Sequence, residues 1–294
     1  MSRRRLPPIA VLVPLLLAHA AAQQEVGELD LLLDKLGRYL EAYEAQLAGV
    51  VADERYEQQQ ILVVRRNRTV SENVMDRKLD CEITFLLGSD EPRWIGVRDV
   101  RRVDGRAVRS NAMRLDDLVQ NRDQRRRTEE VAKIVVASGE HNLGSMRTIN
   151  LPTTPLEILR VDQHPRFIFK VRGRDKIDGT MTTRLDFEEF DEPTMINSQD
   201  GTPLFIRGTA WMEPENGRLW RVQLQVRPKK IAAGQPSEVG SRLRVDFVPY
   251  PAWDIMLPKE LSEEFFILGG RGNGHARYSN FRRYTAVAPK TPSR

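Results

Sequence analysis

The residue types that could carry chemistry are few and scattered. Four glycines, Gly269, Gly270, Gly272 and Gly274, crowd the segment FFILGGRGNGHARYSNFRRY. A glycine-rich loop of this kind cradles a phosphate when it joins a strand to a helix, because backbone N–H groups at the helix N-terminus then face the anion. Gly270 and Gly272 fit the first two positions of G-x-G-x-x-G, but the third falls on His275. The residues that follow, with Tyr278, Phe281 and Tyr284, have strand composition and no helix-start signal. No G-x-x-x-x-G-K-S/T occurs in the chain. The cluster is therefore expected to be a mobile hairpin connection and not a nucleotide site.

Nucleophile, metal and acid-pair chemistry fare no better. There is no G-x-S-x-G elbow. Cys81, the single cysteine, lies between Asp80 and Glu82, whose charges raise a thiol pKa, so it reads as a half-buried strand residue. His141, His164 and His275 have no second histidine or cysteine at metal-ligand spacing. The pairs Glu188-Glu189 and Glu263-Glu264 are adjacent, and adjacent residues of a strand face opposite sides, so they do not share a site. No catalytic constellation, metal site or cofactor is expected.

The ends of the chain and its charge narrow the class. Residues 1–22, MSRRRLPPIAVLVPLLLAHAAA, run from three arginines through a short apolar stretch to small residues, which is the layout of a secretory signal peptide cleaved after Ala20 or Ala22. The apolar stretch is too short to span a bilayer comfortably, and no second one of spanning length follows. The residues directly after it, AHAAAQQEV, hold no cysteine, so no lipid anchor of the bacterial lipoprotein kind is expected. The expected product is a periplasmic or secreted protein. The formal net charge of +5 includes the three signal arginines, leaving +2 once residues 1–22 are removed, too little for a nucleic-acid footprint. With one cysteine, no disulfide within the chain can form, and an ordinary hydrophobic core must hold the fold.

The elements follow from periodicity. Leu29, Leu32, Leu33, Leu36, Leu40, Tyr43, Leu47, Val50 and Val51 recur at three- and four-residue steps, which predicts one helix from Glu28 to about Gln58. Strands are expected at 60–65, 78–87 and 93–103, the last turning at Asp104-Gly105. A further helix is expected over 115–138, where Arg125, Arg126 and Arg127 precede Glu129 and Glu130 on a solvated face. A short helix is expected after Thr154, with Pro155 in its first turn. Beyond His164-Pro165 the chain alternates with period two. Phe167, Phe169 and Val171, then Met181, Leu185 and Phe187, then Trp220, Val222, Leu224 and Val226, then Leu243, Val245 and Phe247 define dry faces against charged ones. Turns are marked at Asp178-Gly179, Asp200-Gly201 and Asn216-Gly217.

The segments IDGTMTTRLDFEEF, GTAWMEPENGRLWRVQLQV, YPAWDIMLPKEL and GHARYSNFRRY resemble the strand-turn phrases of the bacterial lipoprotein-carrier superfamily (LolA/LolB/RseB-type), which includes outer-membrane lipoprotein carriers and a sensor restraining an anti-sigma factor. Trp211, Pro214, Gly217 and Leu219 match its W-x-x-P-x-x-G-x-apolar hairpin, and Tyr278 to Tyr284 resembles a YSNFRRF-like final strand of exported soil-bacterial proteins. The resemblance implies an α+β fold: a strongly curved antiparallel sheet, an unclosed half-barrel, covered on its concave face by the long N-terminal helix and further helices. It also implies that the space between sheet and helices accepts acyl chains or a lipidated partner.

The expected organisation is a signal peptide at 1–22, one half-barrel domain at 23–288 and a disordered tail at 289–294. The inner face would present Phe167, Phe169, Leu185, Phe187, Trp220, Leu224 and Phe247 as the lining for a lipid or acyl chain, with no enzymatic activity and no nucleic-acid partner. The competing expectations are an envelope interaction or sensor module with a plain packed core, and a hydrolase with an unrecognised site.

Overall fold

A computed structural model describes residues 13–66, 69–87, 94–144, 150–198, 201–228, 240–267 and 269–284, with side chains from Gly27 onward except at 65, 66, 69, 87, 94, 95 and 267. Residues 1–12 of the expected signal peptide and the expected tail at 289–294 lie outside the described residues, and residues 13–22 form the first turns of a helix. That helix, α1 (Val13–Leu47), is shorter at its C-terminal end than periodicity suggests. Gly49 takes φ of 80° and ends it, and the β-branched pair Val50-Val51 opens a strand instead.

Among the described residues twelve strands form one sheet: β1 (Val50–Arg66), β2 (Thr69–Leu87), β3 (Trp94–Val103), β4 (Arg106–Ala107), β5 (Phe167–Ile177), β6 (Thr180–Glu189), β7 (Ile196–Asn197), β8 (Pro203–Met212), β9 (Leu219–Pro228), β10 (Gly240–Tyr250), β11 (Ile255–Ile267) and β12 (Gly270–Arg283). The spatial order is β4-β3-β2-β1-β12-β11-β10-β9-β8-β6-β5, with β7 beside β8 and every pairing antiparallel. The outermost strands β4 and β5 do not pair with each other, so the barrel stays open. Register shifts at Val51/Asp53, Asp80/Cys81, Val171/Arg174, Trp211/Met212 and Asp246/Phe247 bend the strands and curl the sheet. The fold is thus the expected α+β half-barrel.

Helix α1 covers the concave face through Leu32, Leu36, Leu40, Tyr43 and Leu47, joined by Leu156 and Ile158 of the short helix α4 (Thr154–Ile158). The helix expected over 115–138 is two: α2 (Leu115–Gln120) and α3 (Gln124–Gly139). Asn121 Oδ1 accepts from the Asp123 N–H and Asp123 caps α3 by accepting from the Arg126 N–H, a local turn that competes with a continuous helix. These two helices cover the opposite face from α1. Val51, Leu86 and Val97 point outward from β1, β2 and β3 and bury a second core against Leu115, Leu118, Val119 and Ile134. Of the further helices, α4 thus joins α1 on the concave face as expected, whereas those outward apolar residues draw α2 and α3 to the other side.

The glycine-rich segment is also corrected. Gly269 takes φ of 72° and makes the turn, but Gly270, Gly272 and Gly274 lie inside β12, between β1 and β11. A Cβ on Gly272 would come within 2.1 Å of Phe265, and one on Gly274 within 2.6 Å of the Tyr56 hydroxyl. The missing side chains let two aromatic rings lie across the strand.

Candidate ligand face

All seven sequence-predicted lining residues belong to the one core cluster beneath α1, and none is more than 8% exposed. Strand register explains how they meet. Phe169 pairs with Phe187, Phe187 with Gly208, Gly208 with Leu224 and Leu224 with Leu243, a single rung across five strands. The Phe187 ring fills the space over Gly208, where a Cβ would lie 2.5 Å from its Cζ. Phe167, Phe169 and Phe187 form an aromatic triangle with centroid separations of 6.1, 5.9 and 6.5 Å. Leu185 lies on the next rung, opposite Ala210. Trp220 is not wholly apolar in its contacts, since its Nε1–H donates to Glu213 Oε1 at 2.7 Å. Met181, expected on the same face, is 52% exposed at the end of the β5–β6 hairpin. As it stands, the concave face is filled by its own side chains and by α1.

The W-x-x-P-x-x-G hairpin holds the cover in place. Gly217 takes φ of 77°, and a Cβ there would lie 2.4 Å from the Lys35 carbonyl oxygen of α1. The turn therefore rests directly on helix backbone. Lys35 Nζ donates to the Pro214 carbonyl at 2.6 Å, and Arg160 pairs with Glu44 of α1 at 2.7 Å. Burial, aided by the Glu213 charge against opposing pulls from Arg218 and Leu219, lifts the Tyr39 phenol far above its ordinary pKa, so it stays neutral under the turn.

Past Leu243 the same rung changes character: Leu243 pairs with Glu263, Glu263 with Gly274 and Gly274 with Gln58. Glu54, Tyr56, Gln58 and Gln60 alternate along β1 on the concave side, all buried. Glu54 holds Arg98 of β3 through two bonds of 2.5 and 2.8 Å, and both side chains are at most 4% exposed. The guanidinium also donates to the Asn150 side chain and carbonyl at 3.2 and 2.8 Å and stacks over the Tyr56 ring at 4.7 Å. Tyr56 in turn donates to Glu263, and Asn150 donates to Tyr56 at 3.1 Å. Gln58 accepts from the Leu143 N–H at 2.8 Å. Burial works against the Arg98 charge, but the Glu54 charge and hydrogen bonds outweigh it and keep the guanidinium protonated. Burial and then the Glu54 charge push the Tyr278 phenol well up.

This network was missed at the sequence level because 28–58 reads as helix, which scatters Glu54, Tyr56 and Gln58 around a cylinder. The available signal was their period-two alternation with Val50 and Ala52. Cys81 is buried on the same face. Its thiol pKa is raised by burial first and by Glu54 next, so the adjacent Asp80 is a minor cause. The adjacent acids split as expected: Glu189 and Glu263 are buried, and Glu188 and Glu264 are exposed. His164 packs edge-on against Phe169 at 5.0 Å, His275 faces Glu260 at 3.5 Å and His141 ends beside Arg77. Among the described residues no group of three or more His, Cys, Asp or Glu could hold a metal ion.

No protein-family model matches the chain, and no curated protein does. Solved structures match over most of its length. A domain described as an outer membrane lipoprotein-sorting protein from Vibrio parahaemolyticus is 11% identical, with 87% of this chain and 95% of that one covered at a TM-score of 0.32. A DUF1329 family protein from Desulfovibrio piger is 9% identical, with 90% and 95% covered at 0.34. A LolA superfamily protein from Nitrosomonas europaea is 10% identical, with 86% and 95% covered at 0.29. The superpositions are loose, and the half-barrel assignment rests on this chain's own strand pairing. No helix among the described residues is long and apolar enough to cross a membrane.

Proposed function

We propose that the protein is an exported, non-enzymatic binding protein of the cell envelope that takes an apolar chain, such as the acyl chain of a lipid or a lipidated partner, between α1 and the concave face. Residues 23–288 act as one half-barrel in this reading, after cleavage at Ala20 or Ala22. The observation that carries it is a continuous apolar rung, Phe169 to Leu243, closed by a helix that shares no strand pairing with the sheet. Such a cover can leave without breaking a hydrogen-bonded ladder.

The magnitudes permit the exchange. Leu32, Leu36, Leu40, Tyr43 and Leu47 bury their side chains under α1, at about 1.5–3 kcal/mol each, and a sixteen-carbon chain at about 0.8 kcal/mol per CH₂ offsets most of that loss. Its polar end would meet the Glu54–Arg98–Tyr56 half of the same face.

Native mass spectrometry tests the proposal on protein purified from the periplasmic fraction and then incubated with palmitate and with dipalmitoyl phosphatidylglycerol vesicles. One lipid per chain, together with faster hydrogen exchange in α1, is the expected result. An intact mass beginning at residue 21 or 23 checks the cleavage. Protein that stays lipid-free in both incubations with α1 fully protected would sink the reading. It would leave the interaction module, which the filled interior favours.

A further inference from the structure

We propose that the free edge of β2, from Val70 to Asp76, is a docking strand for an extended segment of another protein that carries basic side chains alternating with apolar ones. This stands on the edge geometry alone and not on the ligand reading above.

The hairpin of β1 and β2 overshoots the rest of the sheet. β3 pairs with β2 only over Leu79–Leu87, whereas β1 pairs with β2 as far as Arg66–Thr69. Among the described residues no strand pairs with the other side of β2 before Leu79. The direction of its backbone groups can be read from Lys78. The Lys78 N–H donates to Asp104 Oδ1 and its carbonyl accepts from the Asp104 N–H, both at 2.8 Å, so Lys78 points away from β1. The register with β1 is unbroken along β2. Asp76, Val74, Glu72 and Val70 therefore present their N–H and C=O groups to the same open side.

An edge of this length is ordinarily blunted by proline, a bulge or short length, and β2 has none of these over 70–76. Val70 and Val74 are 61% and 50% exposed, and Val63 on the neighbouring strand is exposed on the same face.

Charge selects the occupant. On one face the edge reads Val70, Glu72, Val74, Asp76, apolar and acidic by turns. A second copy pairing about a two-fold axis must match residues of equal parity. Centred on Val74 it sets Glu72 against Asp76 twice, and centred on Glu72 it opposes two glutamates. Centred on Asn73 it brings the two Glu72 side chains onto the diagonal. Centred on Met75 it requires the Lys78 backbone, which Asp104 already holds. Like charges facing across strands are destabilising. The pattern thus disfavours self-pairing and leaves the edge open to a strand with Lys or Arg opposite Glu72 and Asp76 and apolar residues opposite Val70 and Val74, the strand-addition mode of peptide recognition.

The probe is a fluorescein-labelled peptide, acetyl-Lys-Thr-Val-Thr-Lys-Thr-Val-amide, followed by anisotropy with the full-length mature protein. Saturable binding about tenfold tighter than for the peptide with Glu in place of Lys is expected. Val74→Pro removes one outward N–H, which an edge strand tolerates, so circular dichroism should be unchanged while binding is lost. Glu72→Lys with Asp76→Lys should reverse the preference toward the Glu peptide. Absence of saturable binding, equal binding to Val74→Pro, or indifference to peptide charge would overturn the proposal. So would sedimentation of the wild type as a dimer that Val74→Pro dissolves, because the edge would then belong to a second copy.

Discussion

From Phe169 through Phe187, Leu224 and Leu243 one rung of the sheet is oily, and from Glu263 through Gly274 to Gln58 the same rung is polar. Both stretches are buried on the same concave face, yet they are held by different physics. The oily half under α1 relies on non-directional burial, in which many side chains contribute and none has a unique partner. The polar half relies on mutual satisfaction: Glu54 needs Arg98, Arg98 needs Asn150, and Tyr56 bridges Asn150 to Glu263. An apolar surface can trade its helical cover for another apolar chain at modest cost. A buried ion pair cannot lose one member so cheaply.

Substitution pairs sharpen this contrast. Arg98→Met removes the ion-pair partner of the buried Glu54, and it should lower unfolding stability by about 3–5 kcal/mol. Adding Glu54→Leu should recover more than about half of that. Phe187→Ala should cost about 3–5 kcal/mol through the cavity it opens, with no single second change able to recover it. Urea unfolding of the four proteins reads all three numbers. A double variant no better than Arg98→Met alone would break the comparison.

A smaller effect is expected at the clamp between hairpin and helix. Gly217→Ala puts a Cβ at positive φ and against the Lys35 carbonyl, and it should cost about 1–2 kcal/mol. Hydrogen exchange should rise first in α1, while amides of β1 and β3 keep their protection. Uniform loss of protection would mean that cover and sheet move together.

The smallest effect is a pH slope. Burial lowers the His164 pKa below its ordinary 6.5, and the Leu159 carbonyl and Asp162 pull only partly the other way. A base with a depressed folded pKa adds stability above its ordinary value and loses it as pH falls through the folded one. Stability should therefore decline below about pH 6.5. His164→Gln should flatten part of that decline, leaving the share of His141, whose pKa burial and then Arg77 also lower. Identical pH profiles for wild type and variant would remove His164 from the account.

Period-two alternation of Phe167, Phe169, Leu185, Phe187, Trp220, Leu224 and Phe247 was enough to place them on one buried face, because a strand's side chains must alternate and only one face was oily. Turn chemistry was equally local: Asp104-Gly105 and Asp178-Gly179 adopt the positive φ values their residue types favour. The sequence by itself also bounded charge and disulfides and showed no phosphate-loop or nucleophile-elbow motif. Where α1 stops was decided by a choice between helix and sheet for Val50 and Val51, which pair with Arg283 and Arg282 at the far end of the chain. The sides taken by α2 and α3, the strand role of Gly272, and the meeting of Glu54 with Arg98 and Asn150 likewise came only from tertiary structure. Each depends on contacts between separate elements, as the Glu54–Arg98 bond across 44 residues does, and such contacts leave no periodicity in the chain to read.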